Sequence, residues 1–325
     1  MRILILGGTA FVGRAISLAA HGAGHEVTVL NRGKTESDLP DGVERLIGER
    51  PGSLGALEGR TFDATVDVIA YRPGGVHALA DALGGRGGHH LQISSVSSYA
   101  QPMPMGATED DAEIWPDGTA DPAAPITGET YGPLKAAAEH AATDRFGDGL
   151  LTFVRPTYVI GGHDMTLRFP YWVERARRGG RIAVPGPRTS ALQYVDARDV
   201  GAFCVTLLEN GTTGGFTTAG PWPHASYVDV VEQVARLVAP AGTDVVEVAP
   251  ELVEELGLSG SFPLWAGPEP EPAMTMDPSA AIAAGLTLRP LDQSVTDTAA
   301  WWADRDWPEH WLDAADEAAL LARAT

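Results

Sequence analysis

The chain has 325 residues, 44% hydrophobic and 20% charged, a globular balance that argues against disorder. Its 43 acidic and 23 basic residues give a formal net charge of −20, which repels phosphate backbones and anionic membranes unless basic residues are gathered locally. Cys204 is the single cysteine, so an intramolecular disulfide and a cysteine metal cluster are excluded.

In chain order, apolar runs predict strands at Arg2–Leu6, Glu26–Leu30, Arg45–Ile47, Thr65–Ile69, His90–Ile93 and Leu151–Val154. Helical spacing falls between them at Val12–Ala20, Val76–Leu83 and Leu134–Phe146. Runs of Val, Ile and Leu with little alternation suit strands buried on both faces, so the expected fold is α/β with a doubly wound parallel sheet. Beyond Arg155-Pro156, proline and glycine become frequent, with a helix at Tyr227–Val238 and a strand at Val245–Val248. The expected division is a first domain over 1–157, rejoined by about 190–220, and a smaller mixed second domain over 158–325. Pro263–Pro272 holds four prolines and reads as an ordered loop. No signal-peptide pattern opens the chain, and no apolar stretch approaches the ~20 residues a bilayer requires. A cytoplasmic protein is expected.

The first strand runs into Gly7-Gly8-Thr9-Ala10-Phe11-Val12-Gly13, which opens a helix. A Rossmann-type dinucleotide site needs a sharp bend there, close backbone approach to a pyrophosphate, and a helix N-terminus aimed at the negative charge. Gly7 would make the bend and Gly13 the close packing, while Ala10 stands where the usual motif has its middle glycine. The second strand ends Leu30-Asn31-Arg32-Gly33-Lys34. An NAD site commonly has an acidic residue there, whereas Arg32 can make charge-assisted bonds to a 2′-phosphate and Asn31 adds a neutral donor. NADP(H) is therefore preferred as cofactor, with NAD(H) left open.

Tyr131 and Lys135 are four residues apart and share a helix face. Pro133 is tolerated in a first turn, which sets Tyr131 near a helix start. A free phenol titrates near ~10, and an ammonium and a helix N-terminus both favour its ionised form, as acid–base work at neutral pH requires. Upstream, Ile93-Ser94-Ser95-Val96-Ser97-Ser98-Tyr99 ends the fifth strand at the carboxyl edge, where ligands bind in such sheets.

These features, together with Arg155-Pro156 and Tyr194-Val195-Asp196-Ala197-Arg198-Asp199, resemble the extended short-chain dehydrogenases, the family of NAD-dependent epimerases and dehydratases. The resemblance implies that Tyr131 is the acid–base, that Lys135 holds the nicotinamide ribose and lowers the tyrosine pKa, and that Ser95 polarises the substrate. It further implies cofactor contacts from Gly7, Thr9, Ala10, Phe11, Val12 and Gly13 at the turn and from Asn31 and Arg32 after the second strand. Ala70 and Tyr71 would lie along the nicotinamide side, with Ser94, Lys135, Pro156 and Val159 nearby. Phe11-Val12-Gly13 after Gly-Gly-Thr resembles an atypical subgroup of reductases and chloroplast-stem-loop-binding-like proteins, some of which bind RNA or have lost catalysis.

The expected function is an NADP(H)-dependent oxidoreductase moving hydride to or from a carbonyl or alcohol carbon. Two alternatives stand beside it: a sugar-nucleotide epimerase with retained NAD(P), and a non-catalytic cofactor-sensing or RNA-binding protein. Arg168, Arg177, Arg178, Arg181 and Arg188 read either as a sugar-nucleotide phosphate site or as a solvated basic face. Trp172, Trp222 and Trp265 could stack on a ring, whereas Trp301-Trp302 read as core. His89 and His90 would point to opposite faces of a strand, so no metal is expected. The alanines Ala136, Ala137, Ala138, Ala141 and Ala142 suggest a helix packed across a homodimer. A small-molecule substrate is the expected partner, and nucleic acid is disfavoured by the charge.

Overall fold

Ile3, Leu4, Ile5 and Leu6 are all buried, as a strand covered on both faces requires. In the computed structural model, which describes residues 1–34, 38–305 and 311–324, they form an interior strand of a seven-stranded sheet. The chain divides into two compact units. The first comprises Met1–Thr157, Ala197–Ala219 and Met276–Thr287.

In the first unit, β1 (Arg2–Leu6), β2 (Glu26–Asn31), β3 (Glu44–Ile47), β4 (Ala64–Asp67), β5 (His89–Ile93) and β6 (Leu151–Pro156) pair in parallel with the Gly214–Thr218 strand. Across the sheet the order is Gly214–Thr218, β6, β5, β4, β1, β2, β3. The order reverses at β1, whose Leu6 registers with Leu30 of β2 and Asp67 of β4. Such a switch point opens a crevice at the carboxyl ends of the strands. The doubly wound parallel sheet expected from alternating apolar runs and helical stretches is the one observed.

Helix α1 (Phe11–Gly22) packs with the Ala197–Glu209 helix. The helices α2 (Pro73–Leu83) and α3 (Gly128–Phe146) pack together. On α3, Ala136, Ala137, Ala138, Ala141 and Ala142 are all buried within the single chain. Three of them, Ala138, Ala141 and Ala142, cluster with Ala70, Val76 and Leu151. The alanine face is therefore occupied by the protein's own core.

The second unit takes Tyr158–Asp196, Gly220–Thr275 and Leu288–Thr325. It is mixed in character: short strands such as Arg181–Pro185 and Asp244–Val248 pair in parallel, and Ala191–Leu192 pairs antiparallel with Ala225–Ser226. The helices Arg168–Arg178, Tyr227–Val238 and Leu291–Trp302 contribute Phe169, Trp172, Val231 and Val295 to one apolar cluster. Its proline-rich loop is ordered by two donors to a single carbonyl, because Trp172 Nε1 and Tyr227 Oη both donate to Pro263 O at 2.9 Å.

Candidate active site

The turn after β1 is built by close approach. Gly7 has φ +78°, in the left-handed region, and a Cβ on Gly13 would lie 2.1 Å from the Gly7 carbonyl oxygen. Ala10, where a glycine is usual, has φ −135° and ψ 144°. That is extended backbone open to any residue, so the substitution leaves the turn intact. No side chain caps α1, and the first-turn N–H groups of a helix have no intrahelical acceptor. They form a ready seat for an anion.

Beside this turn lies a cavity of about 450 Å³ whose wall includes Gly7, Thr9, Ala10, Asn31, Arg32, Lys34, Glu49, Arg50, Tyr71 and Arg72. Four cations and one carboxylate concentrate positive charge there, in a chain that carries −20 overall. The cations differ in how they are held. Arg50 is pinned beneath the wall: its guanidinium meets Asp67 of β4 at 2.5 and 2.9 Å and also donates to the carbonyls of Gly75 and Ile69. Its side chain is 6% exposed and that of Asp67 0%. Arg72 donates to the carbonyls of Pro122 and Ala124, tying the cavity wall to the segment that leads into α3. Arg32 stands at the rim with Nη1 3.5 Å from Glu49 Oε1. Asn31 Oδ1 accepts from Gly33 N at 2.7 Å, a local turn that shapes the end of β2. A bent glycine turn, an uncapped helix N-terminus and a cationic rim fit the pyrophosphate of a nicotinamide dinucleotide.

Helix α3 begins at Gly128, six residues before the predicted Leu134. Pro133 therefore lies inside the helix and not in its first turn, a correction to the expected start. The helix starts upstream of the proline because Thr127 closes a capping box: its hydroxyl accepts from Thr130 N, and Thr130 Oγ1 accepts from Thr127 N at 2.9 Å. Tyr131 sits within the first turn, its N–H bonded to Thr127 O at 2.9 Å. A Cβ on the neighbouring Gly132 would fall 2.2 Å from Ser97 O. The start of α3 is thus pressed against the 3-10 turn Val96–Ser98, whose N-cap is Ser95. Ser95 Oγ accepts from Ser97 N at 3.1 Å, leaving its own proton to donate. Ser95 and Tyr131 accordingly come from two segments in backbone contact.

Lys135, one turn further, is 2% exposed. Its Nζ donates to Ile93 O at 2.7 Å and to Ala70 O at 3.0 Å, bridging the ends of β5 and β4, and lies 5.0 Å from the centre of the Tyr71 ring. Two of its three donors are used, so one remains for a ligand hydroxyl. Burial pushes its pKa down to about 8, Asp67 and Glu139 act against that, and Arg50 adds to it. At neutral pH the ammonium persists. Beneath it, Glu139 holds Arg155 at 2.6 and 3.0 Å, Arg155 donates to Tyr99 Oη at 3.2 Å, and Tyr99 Oη meets Thr217 Oγ1 at 2.9 Å. This buried chain braces α3 against β6 and the edge strand.

Of the residues expected at the cofactor, Gly7, Thr9, Ala10, Asn31, Arg32 and Tyr71 line the cavity. Phe11, Val12, Gly13, Ala70, Ser94, Lys135, Pro156 and Val159 are not among its wall residues. Gly13 instead supports the turn, Ala70 offers its carbonyl to Lys135, and Ser94 is 3% exposed with a hydroxyl lacking any hydrogen-bond partner. Pro156 ends β6, and Val159 lies in the second unit, in a strand paired with Tyr194–Asp196. Glu49, Arg50 and Arg72 were missed in the sequence reading. The available signal was Gly48-Glu49-Arg50 directly after β3, at the carboxyl edge of the sheet.

In the second unit the basic residues are engaged locally. Arg177 and Arg178 pair with Glu174 on their own helix, Arg188 meets Asp229 and Glu232, and Arg181 donates to Leu321 O. Trp172 is core, whereas Trp222 is 41% exposed. His89 and His90 diverge as expected: His89 Nε2 meets Thr152 Oγ1, and His90 stacks on Phe146. Among the described residues no group of three or more His, Cys, Asp or Glu could hold a metal, and no helix is long and apolar enough to cross a membrane.

Three comparisons bear on this geometry. A family model described as the NAD dependent epimerase/dehydratase family matches residues 3–217. Solved structures share the fold at low identity. Bordetella bronchiseptica WbmH in complex with NAD+ is 15% identical with a TM-score of 0.70, over 94% of this chain and 99% of that one. WbmG of the same organism, in complex with NAD and UDP, is 21% identical with a TM-score of 0.68, over 97% and 99%. The UDP-N-acetylglucosamine 4-epimerase of Bacillus cereus is 16% identical with a TM-score of 0.66, over 96% and 100%. No curated protein matches the chain.

Proposed function

Because the chain belongs to the NAD dependent epimerase/dehydratase family, we propose that it is an enzyme that uses a nicotinamide dinucleotide to interconvert an alcohol and a carbonyl carbon, with Tyr131 as acid–base. The observation that carries this reading is the contact between Gly132 and Ser97. It joins the first turn of α3, which bears Tyr131, to the turn capped by Ser95, while Lys135 is anchored one helical turn away.

A bound nicotinamide ring supplies hydride acceptance and donation. The chain's own residues do the rest. In the oxidising direction Tyr131 takes the hydroxyl proton of the substrate as its carbon loses hydride, and in the reducing direction Tyr131 returns it. Ser95 donates a hydrogen bond to the same oxygen. The Lys135 ammonium stabilises the phenolate electrostatically and directs its remaining donor to a ribose hydroxyl. The uncapped start of α1 seats the pyrophosphate, and Arg32 and Lys34 receive a 2′-phosphate, which favours NADP(H).

A second reading, a sugar-nucleotide epimerase with retained NAD(P), is supported by structural neighbours, one an epimerase and one in complex with NAD and UDP. It uses the same residues and differs only in that oxidation and reduction occur in one visit. One experiment separates the two. The purified protein is incubated with each nucleotide and a panel of carbonyl compounds, alcohols and UDP-sugars, following nicotinamide absorbance and product stereochemistry together. Net change in absorbance marks an oxidoreductase, and isomerisation without it marks an epimerase. In either case Tyr131→Phe is expected to lose about 10²–10⁴-fold in turnover. Turnover within twofold of wild type in that variant would remove Tyr131 from the chemistry.

A further inference from the structure

Arg72 faces two ways. Its side chain lines the cavity beside the Gly7–Gly13 turn, while Nη1 donates to Pro122 O and Nη2 to Ala124 O, the latter at 2.6 Å. Every residue from Pro116 to Ile126 is exposed or half-buried, so this segment is not anchored by a core side chain. Its internal bonds are short-range, such as Ala124 N to Asp121 O at 2.9 Å and Ala123 N to Asp121 Oδ1 at 2.8 Å. The segment then feeds the start of α3. Thr130 Oγ1 donates to Pro125 O at 2.6 Å and accepts from Thr127 N at 2.9 Å, and Thr127 O accepts from Tyr131 N. Ala124, gripped by Arg72, is thus the immediate neighbour of the residue whose carbonyl ties down the turn bearing Tyr131.

We propose that Arg72 is a positioning residue that couples occupancy of the cavity to the order of the 116–126 segment, and through it to the placement of Tyr131. This rests on the reading of the cavity as a dinucleotide site. A guanidinium presents five N–H donors in a rigid fork, and the carbonyls of Pro122 and Ala124 use two of them. The others can serve an anion in the cavity, so a cofactor phosphate and the two carbonyls are held together and not in competition. A phosphate that accepts from them fixes a long side chain at its cavity end, and the carbonyls then meet a partner already in place. The linkage is reciprocal: nucleotide orders the segment, and an ordered segment tightens the nucleotide. The consequence is an order of binding, cofactor first, with the start of α3 settled before a substrate reaches Tyr131.

The test is backbone hydrogen exchange over residues 116–126 of the full chain, with and without saturating NADPH or NADH, in wild type, Arg72→Met and Arg72→Lys. Nucleotide binding is followed separately by fluorescence titration. Methionine keeps the apolar stem and removes every donor, whereas lysine keeps a cation for the phosphate but has no fork to span two carbonyls. In wild type, nucleotide is expected to slow exchange in this stretch roughly tenfold, the effect of one charge-assisted hydrogen bond. Without nucleotide, both variants are expected to exchange there roughly tenfold faster than wild type. With nucleotide bound, their exchange is expected to slow by less than about twofold. Wild type that binds a nucleotide with less than twofold slowing overturns the coupling and leaves the enzyme reading standing. Slowing in either variant equal to that of wild type overturns the role of Arg72. Failure of wild type to bind either nucleotide overturns both.

Discussion

Gly132 and Ser97 are in contact so close that the glycine hydrogen stands where no side chain fits, with a built Cβ only 2.2 Å from the serine carbonyl oxygen. Helix propensity and sterics make opposite predictions at this position. In an open helix, glycine to alanine stabilises by about 0.5–1 kcal/mol. Here Gly132→Ala is expected to destabilise by roughly 1–3 kcal/mol, because the helix start must move off the turn. Urea denaturation checks the sign, and the same variant is expected to lose activity as Tyr131 shifts relative to Ser95.

The Arg50–Asp67 pair supports the cavity from beneath, with Asp67 fully buried. Arg50→Met removes the cation and leaves a buried carboxylate without its ion-pair partner, held only by the Ile69 N–H at 3.1 Å. A loss of about 3–5 kcal/mol is expected, with the double variant Arg50→Met, Asp67→Leu recovering a large part of it. Chemical denaturation of the three proteins tests this directly.

His90 is fully buried and stacks on Phe146 at 3.9 Å between ring centres. Neither ring nitrogen has a hydrogen-bond partner. Burial lowers its pKa from 6.5 to about 4. The folded state therefore binds this proton less readily than the unfolded one, so stability is present above pH 6.5 and is lost as pH falls towards 4. His90→Phe keeps a ring on Phe146 and removes the titration. The expected result is a stability gain over wild type that grows by up to about 3 kcal/mol across that window.

Lys135 behaves in the same sense at alkaline pH. Burial lowers its pKa from 10.5 to about 8, so the unfolded chain holds the proton more tightly than the folded one between those values. Stability from this group rises as pH climbs from 8 to 10.5. The stability difference between wild type and Lys135→Met is expected to move in favour of wild type by up to about 3 kcal/mol over that range. A flat difference would mean that the Ala70 and Ile93 carbonyls, with Asp67 and Glu139, offset the effect of burial on the ammonium.

The parts of the site that depend on local chain geometry were legible in the sequence. The Gly7–Gly13 turn follows from an apolar strand, a bend and a helix in immediate succession, and Tyr131 and Lys135 share a face because helical periodicity requires it. The start of α3 was not legible while Pro133 was treated as its marker, since the Thr127–Thr130 capping box begins the helix upstream and the proline is carried inside. Arg50 and Arg72 were hidden for a different reason. Each acquires its role from a partner far along the chain, Asp67 for one and the Pro122 and Ala124 carbonyls for the other, and nothing in local periodicity links such pairs. Arg32 was recognised without its neighbour Glu49, which the pairing of β2 with β3 brings alongside.

A nicotinamide dinucleotide bound in the cavity beside the Gly7–Gly13 turn is the premise on which every proposed residue role depends. Calorimetric titration of nucleotide-free protein with NADPH and then with NADH measures this without knowledge of the substrate. Saturable binding of one nucleotide per chain is expected. Absence of binding by both, in protein shown to be folded and free of bound nucleotide, would contradict it.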